Sequence, residues 1–279
     1  MSKKTIAAVV IMQNEEMNIP FAIHNPLLIY DSVILVDGGS TDNTIDVAEK
    51  KARALGMEHK LNIYFNKFKD LNSQRNFYLK KVKTDFMHYI DCDELYSEND
   101  LKKIRDNYIN KYNCILIRSH HYYIDFYHIA FGNSWELSWK MPRCFKNISG
   151  LNYTPYEPHV GDHDLRIDNI PYTEYWKNSI KLCDINDIVC HHIGHAMGRE
   201  TEHKKIMFHM QYDNPELRRL SNDVLNQMAW QSCYFDPRFW EQGINADPIG
   251  VISFKGKHPE IMQQHPLYNK RVIKDENIS

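Results

Sequence analysis

Apolar positions in the first hundred residues come in two alternating patterns. Residues 5–12 read TIAAVVIM, a continuous run rich in β-branched side chains that breaks at once into Gln13, Asn14, Glu15 and Glu16. Such a run predicts a strand buried on both faces. Residues 32–36 (SVILV), 61–65 and 86–90 repeat it. Between these runs the apolar residues spread to helical spacing over 18–29, 41–55 and 72–83. The second of these segments has Asp42 and Asp46 early and lysines late, so a helix capped by Ser40 or Thr41 and stopped by Gly56 is expected. Strands alternating with helices predict an α/β fold, a mostly parallel sheet with right-handed crossovers.

Ligands of such a sheet sit beyond the carboxyl ends of its strands. Three polar clusters fall there: Gln13-Asn14-Glu15, Asp37-Gly38-Gly39-Ser40 and Asp91-Cys92-Asp93-Glu94. A helix over 99–110 ends the regular alternation. An aromatic, irregular stretch is expected over 120–175, a strand over 187–190, and helices over 200–212 and 215–230.

Composition narrows the picture a little. At 279 residues, with 43% hydrophobic and 25% charged positions, the chain can bury a large core. A formal charge of -2 offers no broad basic field, which argues against nucleic acid as the main partner. The apolar run over 6–12 is too short for a signal segment or a membrane span, so a soluble, cytoplasmic protein is expected. Six scattered cysteines without a C-x-x-C pair fit buried thiols in a reducing compartment.

Asp91-Cys92-Asp93 places two carboxylates where a strand becomes a loop. Hard cations such as Mg2+ and Mn2+ take one or two carboxylates together with substrate phosphates. Asp37 at a strand end can accept from a base N–H, and Gly38 and Gly39 let the backbone approach a ligand. Arg75, in the helix before the fourth strand, is a permanently charged fork suited to a diphosphate.

The series Val10-Ile11-Met12-Gln13-Asn14-Glu15-Glu16, Val36-Asp37-Gly38-Gly39-Ser40-Thr41-Asp42, Ser73-Gln74-Arg75-Asn76 and Tyr89-Ile90-Asp91-Cys92-Asp93-Glu94 resembles family 2 glycosyltransferases of the GT-A fold. It is most similar to the branch that includes lipopolysaccharide-core β-glucosyltransferases. The resemblance implies inverting transfer from a UDP-sugar such as UDP-glucose to a glycan or other hydroxyl acceptor. It implies a donor site of Gln13, Asn14, Glu15, Asp37, Gly38, Gly39, Arg75, Asp91 and Cys92, and a Mn2+ or Mg2+ ion on Asp91 and Asp93. The expected organisation is a GT-A domain over 1–198, with a donor half (1–95) and an acceptor half (96–198), and a helical extension over 199–279.

In the second half, residues 139–146 are similar to the segment that precedes the acceptor-side acid in this branch. Relatives then show His-Glu, where this chain reads Tyr156-Glu157-Pro158-His159. An inverting transfer needs a base for the acceptor hydroxyl: Glu157 is the first choice, with Asp162, Asp164 and His159 as substitutes. His191 or His192 is the expected third metal ligand, and Trp135, Trp139 and Tyr156 the acceptor platform. Residues 254–259 resemble a segment found after the catalytic domain of such enzymes, expected here either to cover the donor site or to pack as a surface loop. Two rivals stand beside this reading. A nucleotidyltransferase would carry a Gly-rich basic loop after the first strand, where Gln13-Asn14-Glu15-Glu16 stands instead. An inactive nucleotide- or sugar-binding protein would not need all these acids.

Overall fold

The computed structural model describes residues 3–123, 125–131, 142–155, 163–184, 186–196 and 250–270. The first half follows the expected alternation: β1 (Ile6–Met12), α1 (Ile19–Ala22), α2 (His24–Ile29), β2 (Ser32–Asp37), α3 (Thr44–Ala54), β3 (Leu61–Phe65), α4 (Leu71–Leu79) and β4 (Phe86–Tyr89). β1 pairs in parallel with β2 on one side and β4 on the other, and β2 pairs in parallel with β3. Successive side chains of β1 feed both faces of the sheet. Ile6, Ala8, Val10 and Met12 pack towards α1, α2 and α3, while Ala7 and Val9 join Tyr78 of α4 and Phe145. That double burial is why the run is apolar without alternation.

Local chemistry displaces two expected helices. The segment 18–29 is two short helices meeting at Ile23, with Pro20 in the first and Pro26 in the second. A proline has no N–H for the ladder, so a single continuous helix is interrupted there. α3 opens at Thr44 rather than at the expected cap, because Ser40 and Thr41 are engaged elsewhere: the Ser40 hydroxyl donates to Asp37 and the Thr41 N–H to the Asn14 side chain. Gly56 does close that helix, at a φ of 67°. α4 is capped by Asp70, whose carboxylate accepts from the Ser73 N–H at 2.6 Å.

Beyond β4 come β5 (Glu94–Leu95), α5 (Glu98–Lys103), which runs on into a π-helical turn at Ile104–Tyr108, and β6 (Cys114–Tyr123). The aromatic stretch is not irregular where it is described. It forms β6, β7 (His128–Phe131), β8 (Pro142–Lys146), β9 (Leu151–Pro155), β10 (His163–Ile167) and β11 (Ile170–Pro171), because its aromatic and β-branched residues suit strands. β12 (Ile180–Cys183) and β13 (Val189–His195) follow, both parallel to β6. β8 lies antiparallel between β4 and β6 and joins the two halves into one sheet, while β9, β10 and β11 form a separate small sheet.

The expected helices over 200–212 and 215–230 lie outside the described residues. The described end of the chain supplies β14 (Gly250–Ser253), paired antiparallel with β7, and a helical turn at Glu260–Gln263. Among the described residues no helix is long and apolar enough to cross a membrane. Cys92, Cys114, Cys144, Cys183 and Cys190 are buried free thiols.

Three buried imidazoles make the fold sensitive to acid. His88 is wholly enclosed against the Tyr30 hydroxyl, and burial lowers its pKa to about 3. Burial takes His191 to about 3 and His265 to about 4. In each case the folded state holds the ring neutral, so the unfolded chain takes the proton first as pH falls below the ordinary value. Stability is therefore full above about pH 6.5 and declines towards pH 4, by up to about 1.4 kcal/mol per pH unit for each ring. Thermal melts between pH 7 and pH 4.5 should show a falling midpoint, and a flat profile would refute neutral burial.

Candidate active site

The chain steps outward from β1 through β2 to β3, then returns to the far side of β1 as β4. This reversal makes the carboxyl ends of β1 and β4 a topological switch point, the place where open α/β sheets bind ligands. All three polar clusters converge on that edge. Ile90 N–H donates to Val9 O at 3.0 Å and Gly38 N–H to Met12 O at 2.8 Å, so the strand-end loops are tied together as they leave the sheet.

The first two loops are laced by side chains. Asn14 adopts a left-handed φ of 57°, and its amide oxygen accepts from the Thr41 N–H at 2.8 Å while its own N–H donates to Ser40 Oγ at 2.9 Å. Glu15 N–H donates to Thr44 Oγ1 at 2.7 Å. Gly39 has a φ of 109°, a conformation that favours glycine. A Cβ on Gly38 would stand 3.1 Å from Cβ of Phe68. Asp37 is 2% exposed, and its carboxylate accepts from Gly39 N–H, Ser40 N–H and the Ser40 hydroxyl. It holds the turn in shape, whereas the sequence had suggested an acid reaching for a base. Gln13 and Asn14 are among the exposed groups on this wall, with Glu16 and Thr41.

Arg75 is likewise an inward-facing residue. It is 5% exposed, with its guanidinium carbon 4.4 Å from the centre of the Tyr89 ring and 5.6 Å from that of Tyr153. It donates to the Tyr89 hydroxyl, which donates in turn to Asp91. Burial raises the Tyr89 pKa, keeping the phenol protonated and able to donate. Arg143 of β8 approaches from the other side, with Nη1 3.3 Å from Asp91 Oδ2 and Nη2 2.5 Å from Oε1 of the wholly buried Glu94. Burial pushes the Glu94 carboxyl up while the Arg143 charge opposes that shift.

Asp93 faces β13. Its carbonyl accepts from Ile193 N–H at 2.8 Å, and its Oδ1 lies 3.6 Å from His192 Nε2. The His121 ring stands 4.8 Å behind that of His192. Adjacent residues of a strand point to opposite faces, and His191 accordingly lies away from Asp93. It is stacked on Tyr122, with Nδ1 2.9 Å from that hydroxyl. His191 borders a cleft of about 1000 Å3 together with His120, Phe254 and His258. That cleft includes neither Asp91 nor Asp93, and the segment 254–259, one of whose expected places was over the donor site, packs against it instead.

Among the described residues no three His, Cys, Asp or Glu side chains are gathered as a ready metal cage. Carboxylates at Asp91 and Asp93 with the His192 imidazole still suit a hard cation that takes its remaining ligands from substrate phosphates. Glu157, His159, Asp162, Tyr156, Trp135 and Trp139 lie outside the described residues. Asp164 falls in β10, paired with Thr154. Tyr89 and Glu94 stand in the quoted motif without a role of their own, Arg143 likewise had no role assigned, and His121 was not singled out by the sequence. The one signal was position: Glu94 directly follows Asp93, and Arg143 lies in the 139–146 segment.

Acidic loops at the switch point of a helix-flanked, mostly parallel sheet give the chain a GT-A-like α/β fold. Residues 7–158 match the model of Glycosyl transferase family 2. The chain belongs to this family and is a glycosyltransferase. No curated protein matches the sequence. Among solved structures it is similar to S. aureus TarS 1–349 (15% identity, 83% of this chain and 72% of that one, TM-score 0.47) and to the same protein in complex with UDP-GlcNAc (15%, 83% and 72%, TM-score 0.46). It is also similar to glucosyl-3-phosphoglycerate synthase from Mycobacterium tuberculosis in complex with Mn2+, UDP-glucose and phosphoglyceric acid (17%, 42% and 44%, TM-score 0.33).

Proposed function

We propose that this protein transfers a sugar, with inversion, from a nucleotide-sugar donor to a hydroxyl acceptor, and that it uses a divalent cation. The observation that carries the reading is the pairing of Asp93 with His192 at the switch point, beside an Asp91 fixed by Tyr89 and Arg143. Asp91, Asp93 and His192 would hold the ion. A Mn2+ or Mg2+ ion there would supply neutralisation of the charge on the departing diphosphate.

The residues of the chain divide the remaining work. The turn built by Asp37 and the loop of Gln13, Asn14 and Glu15 form the wall for the nucleoside, with the Gly38-Gly39 backbone open to close approach. Arg75 acts through Tyr89, holding Asp91 from behind. An acid of the acceptor half, Glu157 first, takes the proton of the attacking hydroxyl. The motif resemblance favours UDP-glucose or a related UDP-sugar as donor and a place in the branch that includes lipopolysaccharide-core β-glucosyltransferases.

Incubation with UDP-glucose or UDP-GlcNAc and Mn2+ should release UDP slowly, faster when a glycan acceptor is added, and chelation should stop the release. Absence of both UDP release and Mn2+-dependent UDP binding would overturn the proposal.

A further inference from the structure

We infer that Arg143 and Glu94 form a buried clamp that positions Asp91 for the donor, which makes them positioning residues of the reaction. The inference rests on the proposed donor-side role of Asp91. The contacts close a ring. Asp91 N–H donates to Glu94 Oε2 at 3.1 Å, Glu94 Oε1 lies 2.5 Å from Arg143 Nη2, and Arg143 Nη1 returns to Asp91 Oδ2 at 3.3 Å. Main chain and side chain of Asp91 are thus gripped through one guanidinium. The Asp91 side chain is 33% exposed, while those of Arg143 and Glu94 are 9% and 0% exposed, so the ring presents a single carboxylate at the switch point.

Stability alone does not account for this arrangement. A buried ion pair is often no more stable than a well-packed apolar pair of the same volume. An arginine can reach two carboxylates at once because its donors form a planar fork, which a lysine lacks. The fork also screens Asp91 from Glu94, two acids held within one turn of chain. Arg143 comes from β8, the strand that joins the two halves of the sheet. The clamp therefore ties the donor-side acid to the strand that leads from the acceptor half.

Isothermal titration calorimetry of UDP binding with Mn2+ tests this on the full chain, with thermal melts in parallel. Arg143→Lys keeps the charge and loses the fork; a tenfold or greater loss of Mn2+-dependent UDP affinity is expected. The double variant Arg143→Met/Glu94→Leu removes both buried charges; its melting midpoint should stay near that of the wild type while the UDP affinity remains lost. Wild-type affinity in a folded Arg143→Lys or double variant would overturn the clamp and leave the functional reading standing. If the double variant fails to fold, Arg143→Lys alone decides. A wild-type chain that binds no UDP with Mn2+ would overturn the functional reading, and the clamp with it.

Discussion

Asp93→Asn is expected to lower Mn2+-dependent turnover by about a thousandfold, the scale on which charge stabilisation of a transition state is lost when one preorganised group is removed. The substitution keeps the shape and removes the charge. The backbone bond from Ile193 N–H to the Asp93 carbonyl, which ties this loop to β13, survives the substitution. The melting midpoint should therefore hardly move. His192→Ala should weaken metal-dependent UDP binding. His191→Ala should instead reduce stability, because that ring is packed on Tyr122. Near-normal turnover in Asp93→Asn, followed by UDP release, would remove Asp93 from the metal role.

Arg75→Ala carries the second large effect, on stability before activity. The guanidinium is enclosed between Tyr89 and Tyr153 and donates to the phenol that holds Asp91. Truncation leaves a cavity and an unsupported network of buried polar groups, a loss of about 3 to 5 kcal/mol, or about 10 °C in melting midpoint for a chain of this size. Arg75→Lys should recover part of the stability and little of the donor binding. An Arg75→Ala protein that melts like the wild type yet fails to bind UDP would show the side chain to be a ligand-facing arm instead of an internal support.

The donor half was legible because its signals are local. Strands buried on both faces write continuous apolar runs, and their carboxyl ends write polar clusters, so β1 to β4 and the positions of Asn14, Asp37 and Asp91 could be read from order alone. Direction of side chains was not legible. Asp37 and Arg75 lie at the expected places but turn inwards, one to its own Gly39 and Ser40 amides, the other between two tyrosine rings. Such choices depend on partners far apart in the chain: Arg143 lies 52 residues from Asp91. The strands β6 to β12 were hidden for a related reason. Several pair with strands far along the chain, and their aromatic residues fit either a loop or a strand until pairing decides. Which of His191 and His192 faces Asp93 depends on the register of β13 on β6 and β5, which the sequence does not state.

That register also makes β13 a place where chain length matters. Leu95 and Glu94 align with His191 and His192, and the pairing with β6 slips only between His192 and His195. A residue lost before His191 would bring Ile193, and one gained would bring His191, into the position opposite Asp93, because a one-residue slip turns every side chain over. One gained after His192 falls where the ladder is already out of step. The strand thus has an end whose register keeps the His192 imidazole facing Asp93 and an end where the ladder already tolerates a change in length.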